Sequence, residues 1–223
     1  MKILLKNDDL NEALTNVSNL GFVPTMGGLH KGHISLIKKS KIRSNKTLVS
    51  IFVNPRQFNN KNDYKKYPRN TKKDLSTLKK LKVDYVFLPN KKNIFRPKRK
   101  SKININNKDK ILCAKFRKGH FEGVLDIMDR LTNLINPKKI FMGEKDFQQL
   151  YLVKKLLERN YKVRIISCKT IRDKNKVALS SRNFLLDESN LNVAANVYKK
   201  LVNIKKNIKN KKNIFNFLNL KKT

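Results

Sequence analysis

Cysteine is scarce in this chain. Cys113 and Cys168 are the only two in 223 residues, and neither has a Cys or His at metal-ligand spacing. A disulfide scaffold and a zinc site are thereby excluded. Long apolar runs are missing as well. No stretch approaches the roughly 20 residues that a membrane-crossing helix needs, which excludes a spanning protein. The first ten residues carry Asp8 and Asp9 and no apolar core of signal-peptide length, so the expectation is a cytoplasmic protein. Acidic residues are few, 16 against 53 Lys and Arg, leaving a formal net charge of +37. Only three histidines occur, and two of them, His30 and His33, stand three positions apart.

A basic excess of this size is the usual electrostatic footprint of a nucleic-acid binder. Here it is mostly lysine, and it runs the length of the chain. Asparagine and isoleucine are heavily used beside it, as in residues 102–110. Lys, Asn and Ile share A/T-rich codons, so base composition alone raises all three together. Aromatic residues are not interleaved with the basic clusters as a single-strand platform requires. The charge is therefore read as drift on solvated faces, with no specific nucleic-acid partner. It still strengthens non-specific attraction of polyanions and small anions.

The length suggests one full domain with a smaller appendage. Residues 21–25 form a short apolar run that ends in a Pro-Thr-Met-Gly-Gly turn, a buried strand feeding a loop. Ile34, Leu36, Ile37 and Ile42 then follow helical spacing. Residues 47–53 (TLVSIFV) are continuously apolar and β-branched, which suits a parallel strand covered on both faces. Helical spacing recurs over 71–81, 121–135 and 147–157, and strands are expected at 85–88, 139–142 and 161–168. Residues 91–110 read as a surface insertion with one edge strand. The alternation predicts an α/β fold with a parallel sheet. After Asn183 the character changes to a helix at 187–206 and a Lys/Asn-rich tail, which divides the chain into domains at 1–175 and 176–223.

Four constellations carry chemistry. The first is Met26-Gly27-Gly28-Leu29-His30-Lys31-Gly32-His33, which follows a strand and opens a helix. In a parallel sheet, ligands bind beyond the carboxyl ends of the strands. Glycines let a backbone approach phosphate, and a helix N-terminus offers free N–H donors. His30 and His33 share one face of the first turn and can stabilise charge on phosphate oxygens. The plain alternative is a Gly-rich turn with two incidental histidines. The second is SIFVNPRQF, where Asn54 and Gln57 are neutral amides able to bind a carboxylate or hydroxyl. Asn-Pro on its own often does no more than end a strand. The third is Gly143-Glu144-Lys145-Asp146-Phe147-Gln148-Gln149, again at a strand-to-helix junction. There Asp146 is expected to cap the helix, Lys145 to project toward His30 and His33, and Gln149 to lie one turn in on the same side. An N-capped amphipathic helix with surface Lys and Gln is the competing reading. The fourth is Leu179-Ser180-Ser181-Arg182, a candidate phosphate clamp that also reads as a Ser-rich linker. His120, before the long helix, reads at least as readily as structural.

The order PTMGGLHKGH, SIFVNPRQF with DYKKYPR, FRKGHFEGV, GEKDFQQL and LSSRN resembles the pantothenate synthetase (pantoate–β-alanine ligase) family over residues 20–185. The resemblance implies a Rossmann-like nucleotidyltransferase domain with helices on both faces of the sheet. It also implies a small C-terminal domain, a homodimer and MgATP as substrate. It further implies adenylation of pantoate, then attack by β-alanine, releasing AMP and pantothenate. Carried over by position, Met26 to His33 hold ATP, with His33 as the proton donor and His30 beside it. Gly143, Glu144, Lys145 and Asp146 form a second ATP segment with Lys145 on the phosphates. Ile171 meets the adenine through its backbone. Leu179, Ser180, Ser181 and Arg182 form the ATP loop. Gln57 matches the contact to pantoate and β-alanine, and Gln149 the second pantoate contact.

The chain departs from the family at three places. Lys118 stands where the family usually has proline. Asn175-Lys176-Val177 replaces the usual Asp-Gly-Leu. The run after Asn183 is shorter, which leads to the expectation of a reduced C-terminal domain that closes less tightly over an acyl adenylate. Two rival readings stand beside the resemblance. Another small-molecule nucleotidyltransferase would share His-x-Gly-His but leaves Gln57 and Gln149 unexplained. A nucleic-acid binder that has lost catalysis leaves the intact His30, His33, Lys145, Ser180 and Ser181 unexplained.

Overall fold

In a computed structural model of the chain, residues 1–95 and 103–209 are described. The chain divides into two compact units, Met1–Ile171 and Arg172–Thr223. The first is built on six strands: β1 (Lys2–Leu4), β2 (Leu20–Thr25), β3 (Lys46–Ile51), β4 (Tyr85–Phe87), β5 (Lys139–Gly143) and β6 (Arg164–Cys168). Every pairing is parallel, in the order β1-β4-β3-β2-β5-β6. Between the strands run α1 (Asn7–Leu14), α2 (Lys31–Arg43), α3 (Lys61–Lys66), α4 (Thr71–Lys80), α5 (Lys91–Ile94), α6 (Cys113–Phe116), α7 (His120–Ile135) and α8 (Phe147–Asn160).

Neighbouring residues along each strand feed opposite cores, as strand geometry requires. Phe22, Leu48, Phe87, Ile140 and Ile165 pack with residues of α1, α7 and α8 on one face. Val23, Val49, Val86, Phe141 and Ile166 pack with residues of α2 and α4 on the other. Phe22, Phe87 and Phe141 are fully buried, each stabilising the fold by roughly 1.5–3 kcal/mol. The expected α/β architecture with helices on both faces is what forms. From β2 the chain moves outward through β3 to β4, then crosses back to add β5 and β6 on the other side of β2. The direction of winding therefore reverses between β2 and β5, and their carboxyl ends frame the crevice where ligands bind in open parallel sheets.

Three expectations need correction. Among the described residues, 91–110 contain no strand. They hold α5 and a 3-10 turn at Asn107–Asp109, with 96–102 outside the described residues. Ile94 and Ile105 are buried in the core, so the segment is more than a surface insertion. The sheet edge on that side is β1, whose three residues are too few to show alternation. The strand expected from Tyr161 begins at Arg164, because the Tyr161 N–H closes α8 on Leu157 and its hydroxyl donates to Asp129 at 2.7 Å.

Helix α7 is buried over nearly its whole length, polar residues included. Asp126 accepts from Arg130 at 2.7 Å, one turn on, and from Arg56 at 2.8 Å. Both guanidiniums stack on Phe95, at 4.1 and 5.2 Å from the ring centre. This cluster fastens the turn after β3 onto α7.

The second unit opens with a tight turn in which Arg172 bridges Ala178. The Asp173 carboxylate accepts the Val177 N–H at 2.9 Å, and Lys176 takes a left-handed φ of 69°. A 3-10 turn at Ser181–Leu185 leads to α9 (Glu188–Lys209), whose Tyr198 ring lies 4.2 Å from the Arg172 guanidinium. The tail expected at 207–223 lies almost entirely outside the described residues.

Candidate active site

The loop after β2 and the start of α2 occupy the reversal point of the sheet. Gly27 and Gly28 have φ of 81° and 63°, a left-handed backbone that strains any residue with a Cβ. A Cβ on Gly27 would also lie 2.9 Å from Asp74 Oδ2. Thr25 ties the loop down: its hydroxyl donates to the Ser50 carbonyl at 2.7 Å and accepts from the Gly27 N–H at 3.2 Å. Asp74, buried in the first turn of α4, accepts from the N–H groups of Gly28 and Leu29 at 2.9 and 2.8 Å. Sequence reasoning missed Asp74. An acidic residue in the first turn of a lysine-rich helix reads as solvated, and no local signal links it to a loop 46 positions earlier.

His30 is the N-cap of α2. Its Nδ1 accepts the Gly32 N–H at 3.1 Å, and His33 Nδ1 accepts the His30 N–H at 3.3 Å. The two rings sit 4.1 Å apart. With both Nδ1 atoms accepting, hydrogen-bond logic puts the ring hydrogen of each on Nε2. The His33 pKa is pushed down to about 3, first by burial and then by the charges of His30 and Lys145. Burial lowers the His30 pKa too, with Lys145 adding to the effect. Both rings are therefore neutral at pH 7 and offer Nε2–H as hydrogen-bond donors. In that form His33 can donate a hydrogen bond from Nε2 without carrying a positive charge.

Helix α2 was also expected to offer free N–H donors. In the structure the N–H groups of Gly27, Gly28, Leu29, His30 and Gly32 are all engaged by protein groups. Lys31, in the first turn of α2, is exposed.

From the neighbouring β5 comes Lys145, in a 3-10 turn at Glu144–Asp146. Its charge lowers the pKa of both imidazoles. Asp146 stands at the N-cap of α8, but its side chain does not cap the helix. It accepts from Lys145 at 3.0 Å instead. Glu144 accepts the Ser167 hydroxyl, and Gly143 opens on empty space.

Gln57 sits in the 3-10 turn Pro55–Gln57 after β3. Its Nε2 donates to Met26 Sδ at 2.9 Å, which joins it to the glycine loop. Asn54 is 1% exposed, and its amide donates to the Gly123 carbonyl at 2.9 Å and to Gln57 Oε1 at 3.4 Å. Asn54 thus positions Gln57 and is spent before any ligand arrives. His120, buried at the start of α7, donates from Nδ1 to the Gln57 carbonyl at 2.6 Å, a structural role. Gly123 lies against the Arg56 carbonyl, so close that any Cβ would collide with it.

Gln149 is half-buried on α8, and among the described residues no hydrogen bond joins it to Gln57. Its neighbour Gln148 pins the Asp109–Ala114 segment through three hydrogen bonds. Ile171 follows β6 and is half-buried. In the second unit, the Ser180 hydroxyl accepts the Arg182 N–H at 3.3 Å, Ser181 is buried, and Leu179 and Arg182 are half-buried.

Comparison with known proteins gives a consistent picture. Pantothenate synthetase of Cytophaga hutchinsonii is 42% identical over 195 residues, covering 87% of this chain and 69% of that protein. The Thermodesulfovibrio yellowstonii pantothenate synthetase is 40% identical over 184 residues, covering 82% and 66%. This chain therefore spans about two thirds of the length of those relatives. The crystal structure of the Francisella tularensis pantoate-beta-alanine ligase, complexed with beta-gamma ATP and beta-alanine, superposes with a TM-score of 0.85 at 39% identity, covering 89% of this chain and 78% of that one. The sequence profile of pantoate-beta-alanine ligases matches residues 2–222, and the chain belongs to that family.

Proposed function

We propose that this chain joins pantoate to β-alanine at the expense of ATP, through pantoyl adenylate. The observation that carries the reading is the pairing of His30 and His33 at the sheet reversal, where the Lys145 charge lowers the pKa of both, with Gln57 tied to the same loop through Met26. In the first half-reaction a pantoate carboxylate oxygen attacks the α-phosphorus of ATP, the bond to the β-phosphate oxygen breaks, and pyrophosphate leaves. The developing charge on the phosphates meets two Nε2–H donors and the Lys145 ammonium. These groups are fixed before the reaction, which is how such a site lowers the barrier. In the second half-reaction the amine of β-alanine attacks the acyl carbon, the bond to AMP breaks, and the amine gives up a proton. Little covalent help is needed from the protein, so positioning dominates.

In this reading Met26 to His33 and Gly143 to Asp146 hold ATP, and Ile171 meets its adenine. Gln57 and Gln149 hold pantoate, with Gln57 also serving β-alanine. Leu179, Ser180, Ser181 and Arg182 supply the ATP loop, and the first unit is the nucleotide-binding domain. Mg2+ enters as part of the ATP substrate. Among the described residues no group of three His, Cys, Asp or Glu could hold a metal ion. No helix of the described residues is long and apolar enough to cross a membrane. The reading places the enzyme in the cytoplasm with no specific nucleic-acid partner.

A homodimer is part of the proposal. Ile111, Leu112, Phe116, Phe147 and Tyr151 are all exposed, and Gln148 gathers their two segments onto one side of α8. A second copy is the occupant that suits such a cluster. Pairing through the β6 edge is disfavoured, because Glu158 and Lys39 already hold the Ile165 N–H and the Ser167 carbonyl. Sedimentation should show a dimer that Phe116→Glu weakens; a wild-type monomer at all concentrations contradicts it. The activity itself is tested by following AMP and pantothenate together. One AMP per pantothenate, requiring both pantoate and β-alanine, supports the reading. AMP formation indifferent to pantoate contradicts it and favours another nucleotidyltransferase.

A further inference from the structure

Consecutive backbone N–H groups in a left-handed turn make a concave nest that binds anions, and the Gly27–Leu29 loop has that backbone. The nest is already filled. Both oxygens of Asp74 sit in it, one on the Gly28 N–H and one on the Leu29 N–H, and the side chain is shut away at 2% exposure. Three more donors around the turn are taken too. The Gly27 N–H goes to Thr25, the His30 N–H to His33 and the Gly32 N–H to His30. A loop whose backbone donors are spent in this way cannot cradle phosphates as a glycine-rich phosphate loop does.

We propose that Asp74 is a positioning residue for adenylyl transfer: its carboxylate occupies the anion nest of the glycine loop, fixes the start of α2, and thereby hands the triphosphate to the side chains of His30, His33 and Lys145. The inference deepens the proposed adenylation reading and rests on it. Asp74 acts through the loop and touches no substrate. Its loss frees two N–H donors beneath the histidines and lets the first turn of α2 shift. Catalytic contacts tolerate little displacement, and an error near 1 Å costs about a hundredfold. Pantoate is held by Gln57, whose turn is fastened to α7 by Asn54 and His120 as well as to the loop through Met26, and is disturbed less.

The test is Asp74→Asn in the full chain. The asparagine keeps the shape but turns an NH2 group toward one of two N–H donors. The expected result is a folded protein, Gly28 and Leu29 amides that exchange with solvent at least tenfold faster by NMR, a KM for ATP raised at least tenfold, and a KM for pantoate within twofold of wild type. A folded variant with unchanged ATP dependence overturns the proposal, as does an equal rise in both KM values. ATP titration without turnover separates the two readings. If wild type binds ATP but shows no pantoate-dependent reaction, the adenylation reading fails, while the ATP affinities of wild type and variant still decide the role of Asp74. Should Asp74→Asn not fold, Gly27→Ala disturbs the same contact from the loop side, and the same split between ATP and pantoate is expected. Failure of both to fold assigns Asp74 to stability alone and overturns the proposal.

Discussion

His33 Nδ1 accepts the backbone N–H of His30 at 3.3 Å, and that one bond fixes what the histidine pair can do. It sets the ring hydrogen of His33 on Nε2 and leaves the imidazole neutral at physiological pH. Exchange between ATP and pyrophosphate should therefore show no alkaline loss between pH 6.5 and 8.5 from histidine titration. A fall in kcat/KM centred near 6.5 would mean that an imidazolium is required, and the neutral-donor account would be wrong.

The same pair makes stability depend on acid. His33 has a pKa of about 3 when folded, against an ordinary histidine value of 6.5. Between these values the unfolded chain binds more protons, so stability rises with pH there. The contribution is complete above about 6.5 and is lost as pH falls toward 3. Urea unfolding at pH 7 and pH 5 should show a larger drop for wild type than for His33→Gln. Equal drops would show that His33 is not shielded.

Gly123 touches the Arg56 carbonyl, and Gln57 is the next residue. Gly123→Ala should push the Pro55–Gln57 turn off α7, destabilising by about 1–3 kcal/mol as overpacking does. Kinetics should register it mainly as a raised KM for pantoate. A raised KM for ATP alone would place the turn elsewhere in the mechanism.

Asp126 carries two guanidiniums, and Arg130 beside it is buried. Taking the carboxylate away from a buried guanidinium costs about 3 kcal/mol. Asp126→Ala should lower stability by that order in denaturant unfolding. A loss below about 1 kcal/mol would mean that solvent reaches the cluster.

Lys176 holds φ at 69°. A left-handed residue with a Cβ costs about 1–2 kcal/mol, and glycine gives back part of the gain through unfolded-chain entropy. Lys176→Gly should stabilise the 172–178 turn by roughly 0.5 kcal/mol, read as slower proteolytic cleavage there. Faster cleavage would show that the lysine relieves no strain.

How much of this is legible in the sequence depends on range. His30, His33 and Lys145 lie in two strand-to-helix junctions, and each junction is visible as a glycine break between an apolar run and a helical one. Parallel topology puts both junctions at the carboxyl ends of the adjacent strands β2 and β5, so their place in the fold can be read from local pattern. The contacts that fix it are long-range and polar. Asp74, Asp126 and Arg130 look like solvated helix residues, because burial of a charge is decided by the partner it meets and the partner is far away in sequence. Asn54 looks like a ligand for the complementary reason: nothing local reveals that Gly123 has claimed its amide. The N–H donors expected at the start of α2 are partly claimed in the same way.

The most direct test is pantoate-dependent exchange between ATP and pyrophosphate in wild type and His33→Ala. Removing a preorganised donor should slow the exchange by about a hundredfold or more. The expected result is exchange that requires pantoate and falls by that order in the variant. Folded wild type without exchange, or exchange that survives unchanged in His33→Ala, would contradict the adenylation mechanism.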